Sequence, residues 1–196
     1  MTESVPSETR VETHEQPDPR TDQQLIAAIN DGDAAAFEIL YYRYRDWVVN
    51  LAHRFTRSED LALDVMQETF LYLLRKFPGF QLTANLKTFF YPAVKNLSIA
   101  ARRKAGRYQS TEAEQQQLEQ TPAVSGPTDH AGDLDAALAN LSDDHREVLL
   151  LRFVDGLQLA EIAEATGVPL GTVKSRLHHA LEALRQDKRA KQFFEP

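Results

Sequence analysis

LAEIAEATGVPLGTVKSRLHHALEALRQ, residues 159–186, is the stretch whose reading decides the fold. Its first part repeats small and apolar residues at helical spacing and stops at Gly167, a residue that ends helices because it tolerates the left-handed conformation. After the tight connection Gly167-Val168-Pro169 comes a longer helix. Val173, Leu177, Leu181 and Leu184 share one of its faces and are expected to pack on Ile162, Ala163 and Val168. The opposite face carries Lys174, Ser175, His178 and His179, flanked by Thr172 and Arg176. Helix, short glycine-bearing turn and longer basic helix together form the helix-turn-helix pattern. A recognition helix needs this division of labour: apolar residues dock it, and short polar or basic side chains reach base edges and phosphates. A plain helical hairpin with a solvated face would share the apolar stripe. Turn, faces and charge agreeing favours DNA recognition.

Outward from that stretch, Ser142 can cap a helix HREVLLLRFVDG that Gly156 ends, and the block begins near Leu134. Residues 107–133, with QQQ and TPAVSGPTDHAG, read as a flexible linker. A first helical block spans residues 21–106. Asp22 is expected to cap a short helix carrying Leu25, Ile26 and Ile29 that Gly32 ends, and Asp33 to cap the next. In that second helix Phe37, Leu40, Tyr44, Val48, Leu51 and Phe55 keep three- and four-residue spacing. Ser58, with Glu59 and Asp60 behind it, opens a third helix expected to run to Phe77 and stop at Pro78-Gly79. A fourth starts near Asn85 and buries Leu86, Phe90, Leu97 and Ala101; Pro92 inside it should kink or restart it. Residues 1–20 are polar and proline-bearing and are expected to be disordered. No segment alternates long enough to be a strand. The expectation is an all-α protein of two small helical domains, 21–106 and 134–196.

Composition removes several function classes. The 196 residues include no cysteine, which excludes disulfides, cysteine-ligated zinc and thiol catalysis. The six histidines form no HExxH pair. No apolar run is long enough to span a bilayer, and the first twenty residues lack the apolar core of a signal peptide, so a cytoplasmic protein is expected. No acid cluster, nucleophile or phosphate loop points to an enzyme, and no cofactor is called for.

A net charge of −7 argues at first against a nucleic-acid binder, but its distribution matters more than its sum. Between Thr69 and Thr111 there are eight basic residues and no acid, and from Tyr108 to Asp133 five acids and no Lys or Arg. The fourth helix and the loop before it interleave Phe80, Phe89, Phe90 and Tyr91 with Lys87, Lys95, Arg102 and Arg103. Aromatic faces stack unpaired bases while cations hold the backbone, the arrangement of single-strand binders. Phe90 instead fits the buried stripe. On the third helix Asp60, Asp64, Gln67, Glu68 and Leu71 share one side, and Leu63, Met66, Phe70, Leu73 and Phe77 another. The acidic side is either ordinary solvated surface or, given Leu71 among its acids, a protein-binding face.

With these residues located, the chain resembles the sigma-70 family of RNA polymerase sigma factors, in its ECF (extracytoplasmic function) group. DVMQETFLYLLRKFPGF (64–80) looks like the region 2 helix and following loop, NLKTFFYPAVKNLSIAARRK (85–104) resembles the segment that reads and opens the −10 element, and residues 141–185 are similar to region 4. Phe89 stands where a tryptophan is common, and Gln158 where a serine cap is common.

The resemblance implies binding to core RNA polymerase and promoter DNA, and no catalysis. Asp60, Asp64, Gln67, Glu68 and Leu71 would face the clamp helices of the largest subunit, and the flap region would be a second polymerase contact. Phe80, Asn85, Lys87, Thr88 and Phe89 would capture a base turned out of the non-template strand, with Lys95, Asn96, Arg102 and Arg103 along the backbone nearby. Thr172, Lys174, Ser175, Arg176, His178 and His179 would meet the −35 element. An anti-sigma factor is a further expected partner. Two rival readings stand beside this one. A stand-alone helix-turn-helix regulator would leave the first block without a purpose, and a mimic that sequesters an anti-sigma factor would not need Lys174, Arg176 or the basic run.

Overall fold

In a computed structural model, residues 18–113 and 131–189 are described; they form eight α-helices and no strand. The order is α1 (Asp22–Asn30), α2 (Ala34–Thr56), α3 (Glu59–Leu74), α4 (Leu86–Ala113), α5 (Ala131–Ala139), α6 (Asp143–Phe153), α7 (Leu159–Thr166) and α8 (Leu170–Gln186). Three expected caps are in place. Asp33 accepts from the amides of Ala35 and Ala36 at 3.0 and 3.3 Å, Ser58 from Leu61 at 3.4 Å and Ser142 from His145 at 3.4 Å.

Asp22 is not the cap of α1. Thr21 is, in a capping box with Gln24, whose side chain accepts the Thr21 amide at 2.8 Å. Asp22, one residue inside, instead takes Arg43 at 2.6 Å and the Tyr44 hydroxyl. Burial first, and then the hydrogen bond to Asp22, raise the Tyr44 pKa far above its ordinary value, so the phenol keeps its proton and donates. Residues 18–20, part of the segment expected to be disordered, are held by Arg43, which donates to the carbonyls of Asp18 and Arg20 at 3.1 and 3.0 Å; residues 1–17 lie outside the described residues.

Helix α3 stops at Leu74, short of Phe77. The amides of Lys76 and Phe77 fall back on Leu73 and Leu74 at 2.9 and 3.1 Å, and Pro78 drives the residue before it out of the helical region. Helix α4 is unbroken by Pro92, which is exposed between the buried Tyr91 and Val94; the packed face holds the helix where one amide donor is missing. Leu97 and Ala101 are only partly buried, with Ser98 at 0 % exposure on the core side. The same helix extends through 107–113, part of the stretch expected to be linker, because alanine, arginine and lysine outweigh the cost of Gly106. Residues 114–130 of that stretch lie outside the described residues, and α5 begins at Ala131, ahead of Leu134.

Helices α2, α3 and α4 pack on one another with α1 against α2. Their centre is aromatic: Phe90 lies edge-on to Tyr44 and Phe70, with ring centroids 5.7 and 5.5 Å apart. Truncating Phe90 to alanine would cost about 3–5 kcal/mol. Leu63 does not join this core; it is exposed, and Ala62, Val65 and Thr69 face inward in its place. In the second block Val173 is buried against Ile162 with Ala163 and Val168 as expected, whereas Leu181 and Leu184 turn to Ala137 of α5, Leu149 of α6 and Leu141 between those helices. The two blocks do not stand apart: α7 packs on α4, and one apolar cluster runs from Phe90 and Val94 to Leu151, Leu157 and Ile162.

Candidate nucleic-acid interface

The loop from Pro78 to Asn85 and the first turns of α4 form one wall of a cavity of about 100 Å³. Gly79, with φ +98°, makes the turn that sets the loop off from α3. Asn85 starts α4, its side chain accepting the Lys87 amide at 2.9 Å. Phe80, Asn85, Thr88 and Phe89 all line the cavity, and Glu164 of α7 reaches in from the second block. Thr88 is 5 % exposed, and its buried hydroxyl has no partner among the described residues.

Phe89 sits among other rings. Tyr72 of α3 stacks on it at 5.6 Å and 14°, and Phe80 lies 4.9 Å away. Tyr72 is itself partly exposed and carries Lys76 over its outer face at 4.6 Å. The sequence reading missed Tyr72 because it lies among leucines on a helix assigned to another role.

The cations of α4 divide. Lys87 donates its ammonium to the Asp155 carbonyl at 2.8 Å, and Lys95 meets the Glu147 carboxylate at 2.5 Å. Both partners belong to the second block. Asn96, Arg102 and Arg103 are exposed, with Arg102 reaching the Phe55 carbonyl at 3.3 Å.

Asp155 is the hinge point of this inter-block contact. It is 3 % exposed, and its carboxylate takes Arg54 at 2.7 Å and the Trp47 indole N–H at 2.8 Å, both from α2. A buried carboxylate is tolerable only with such partners, and stripping an ion from a buried pair costs about 3–5 kcal/mol. Glu147 accepts from the Tyr91 hydroxyl as well as from Lys95. Burial, and then the Glu147 charge, push the Tyr91 phenol far above its ordinary pKa, which keeps it a donor. Trp47, Arg54, Glu147, Asp155 and Glu164 were invisible as a group in the sequence, since the partners lie 52 to 108 positions apart.

The polar face of α8 is open by contrast. Thr172, Lys174, Ser175, His178 and His179 are all exposed, while Val173 opposite them is fully buried. Gly167, at φ +71°, supplies the turn that aims α8. Gln158 does start α7 without a hydroxyl cap, but the Glu161 carboxylate accepts its amide at 2.7 Å and does the work of one. Arg176 departs from its expected role: it is only partly exposed and is ion-paired with Asp144 at the start of α6. On α3, Asp60, Asp64, Gln67 and Glu68 are exposed together with Leu71, and Leu63, expected on the apolar side, and Leu74 add exposed apolar surface to that helix.

Residues 40–108 match the family described as Sigma-70 region 2 and residues 131–184 the one described as Sigma-70, region 4. The ECF RNA polymerase sigma factor SigW of Bacillus subtilis is 29% identical over 180 residues, covering 85% of this chain and 96% of its own. The ECF RNA polymerase sigma-E factor of Escherichia coli K12 is 30% identical over 177 residues, 84% of this chain and 92% of that one. Among solved structures, the sigma factor RpoE of Bartonella quintana, in complex with the anti-sigma factor NepR, is similar at a TM-score of 0.56 and 27% identity, over 76% of this chain and 94% of that one. CnrH, in complex with the cytosolic domain of CnrY, shares the fold at a TM-score of 0.59 and 21% identity, over 83% and 93% of the two chains. With both halves matched in this order and relatives covered over nearly their full length, the chain belongs to the sigma-70 family, as an ECF sigma factor that recognises promoters for the initiation of transcription.

Proposed function

We propose that this sigma factor divides its task among three faces. The exposed side of α3, with Asp60, Asp64, Gln67, Glu68 and Leu71, docks on the clamp helices of the largest polymerase subunit, and the second block meets the flap region. The cavity walled by Phe80, Asn85, Thr88 and Phe89 receives a base turned out of the −10 element, and the α4 cations follow the strand beside it. Thr172, Lys174, Ser175, His178 and His179 enter the major groove of the −35 element. The observation that carries the second assignment is a cavity at the start of α4 that brings Phe80 and Phe89 together with the polar residues Asn85 and Thr88.

The two DNA faces cannot both be served by the arrangement described. Elements about 25 base pairs apart lie roughly 85 Å apart along the duplex at 3.4 Å per step. A single folded unit of this size is only about 40 Å across. Lys87 and Lys95 must therefore leave Asp155 and Glu147 when the blocks part on a promoter. Among the described residues no helix is long and apolar enough to cross a membrane, and we place the protein in the cytoplasm with the polymerase it serves. An anti-sigma partner, as in the complex of RpoE with NepR, is part of the same proposal.

Transcription in vitro with purified core polymerase, followed by mapping of start sites, tests the function as a whole: discrete starts should depend on this chain. Asp64→Lys with Glu68→Lys should abolish core binding through like-charge contact while the fold survives, since both side chains are exposed. Undiminished core affinity in that double variant would remove the α3 assignment.

A further inference from the structure

We propose that Asn30 is a positioning residue for the base-capturing loop, holding its backbone at the height the cavity requires. This inference rests on the reading that the cavity takes a −10 base. Asn30 ends α1, outside the region 2 match, and had no role in the reading of the sequence. Its side-chain oxygen accepts the Gly79 amide at 2.6 Å, and its side-chain nitrogen donates to the Phe80 carbonyl at 2.8 Å. One amide thus grips two consecutive residues of the loop, much as a neighbouring strand would.

Packing does only part of this job. Phe80, Gln81 and Leu82 line both this cavity and a second one of about 220 Å³ against α1. Phe80 and Leu82 pack against the core, but Gln81 and Thr83 between and after them are exposed, so side-chain packing holds only alternate residues of the loop. Among the described residues, Asn30 is the side chain that hydrogen-bonds the backbone of residues 79–84. Its own position is firm, because Leu25 and Ile26 of the same helix are anchored in the core at 0 and 3 % exposure. A rigid helix end therefore sets the height of the loop backbone, and through Phe80 the shape of the cavity that discriminates among bases.

The test uses holoenzyme reconstituted with the full chain and measures binding to non-template-strand oligonucleotides carrying each of the four bases at each −10 position. Asn30→Ala, which loses both hydrogen bonds, should lower the preference for the favoured base about tenfold, with affinity for core unchanged. Asn30→Asp has the same shape, keeps the acceptor for Gly79 and loses the donor for Phe80, and should fall between. Replacement of Gln81–Ala84 by a Gly-Ser segment provides the comparison. If that replacement erases base preference but Asn30→Ala and Asn30→Asp keep it, Asn30 does not position the loop. If the replacement leaves base preference intact, the base-capture reading fails and this inference with it. A loss of core affinity or thermal stability in Asn30→Asp as large as its loss of base preference would make Asn30 a folding residue and overturn the proposal.

Discussion

The face of α4 and the face of α8, both proposed to meet DNA, are kept in opposite conditions. On α8 the polar residues stand in solvent, while Val173 and Leu177 behind them do the packing. On α4 Lys87 and Lys95 are engaged by an Asp155 carbonyl and a Glu147 carboxylate, and Glu164 reaches into the adjoining cavity. The second block thus offers the α4 cations oxygen acceptors where nucleic acid would offer phosphates. A helix meant for duplex DNA can stay open, because its target is always paired and its contacts are with groove edges. A surface meant for unpaired bases exposes aromatic rings when idle, and covering them removes that apolar area from water.

The largest expected effect comes from uncovering α4. Asp155→Ala leaves Arg54 and the Trp47 N–H without their partner, and Glu147→Gln removes the charge facing Lys95. Loss of the buried Asp155 contact, worth about 3–5 kcal/mol, should move the closed form strongly toward the open one. The Glu147 pair is more exposed and should add about 1 kcal/mol or less. The free double variant should bind a −10 single strand at least tenfold more tightly, since apparent affinity follows the open fraction. Titration of a labelled oligonucleotide with the free chain measures it, and equal affinities would break the contrast between the two faces.

Next in size is the difference in what each face reads. Phe89→Ala should slow promoter opening by the holoenzyme, with a stacking loss of about 1–3 kcal/mol, and a premelted template should largely relieve the defect. Ser175→Ala and His179→Ala should do the reverse, leaving opening alone but relaxing one or two −35 positions by about 1–3 kcal/mol. Opening kinetics on duplex and bubble templates, paired with site selection, compares them. Equal Phe89→Ala defects on both templates would assign that ring to packing with Tyr72 and Phe80.

Much of this was legible in the chain. Asp33, Ser58 and Ser142 announced their helices because capping is local chemistry within three residues. The α8 face was legible because a 3.6-residue period assigns sides without any tertiary knowledge. Asp22 misled because Thr21 and Gln24 offered a competing cap one residue earlier. Leu63 misled because the apolar stripe of α3 is wider than its core-facing side, the remaining leucines being surface. The inter-block contact and the Asn30 grip could not be read at all, since each joins residues about fifty or more positions apart with no periodic signal.

The smallest effect sharpens the account of α8. Arg176 is already paired with Asp144, so Arg176→Ala should reduce the salt dependence of duplex binding by less than one phosphate contact, whereas Lys174→Ala should reduce it by about one. Affinities at several salt concentrations separate the two, and equal slopes for both variants would return Arg176 to the phosphate-binding set.

The central claim is that the free chain keeps its α4 face closed by its own second block and opens it on the promoter. The chain has no cysteine, so single labels can be introduced cleanly at the exposed Glu38 of α2 and Ala183 of α8. Energy transfer between dyes at these positions should report one short distance in the free protein and a distance longer by tens of ångströms in the promoter-bound holoenzyme, as expected for elements about 85 Å apart. The same distance in both states would contradict the account.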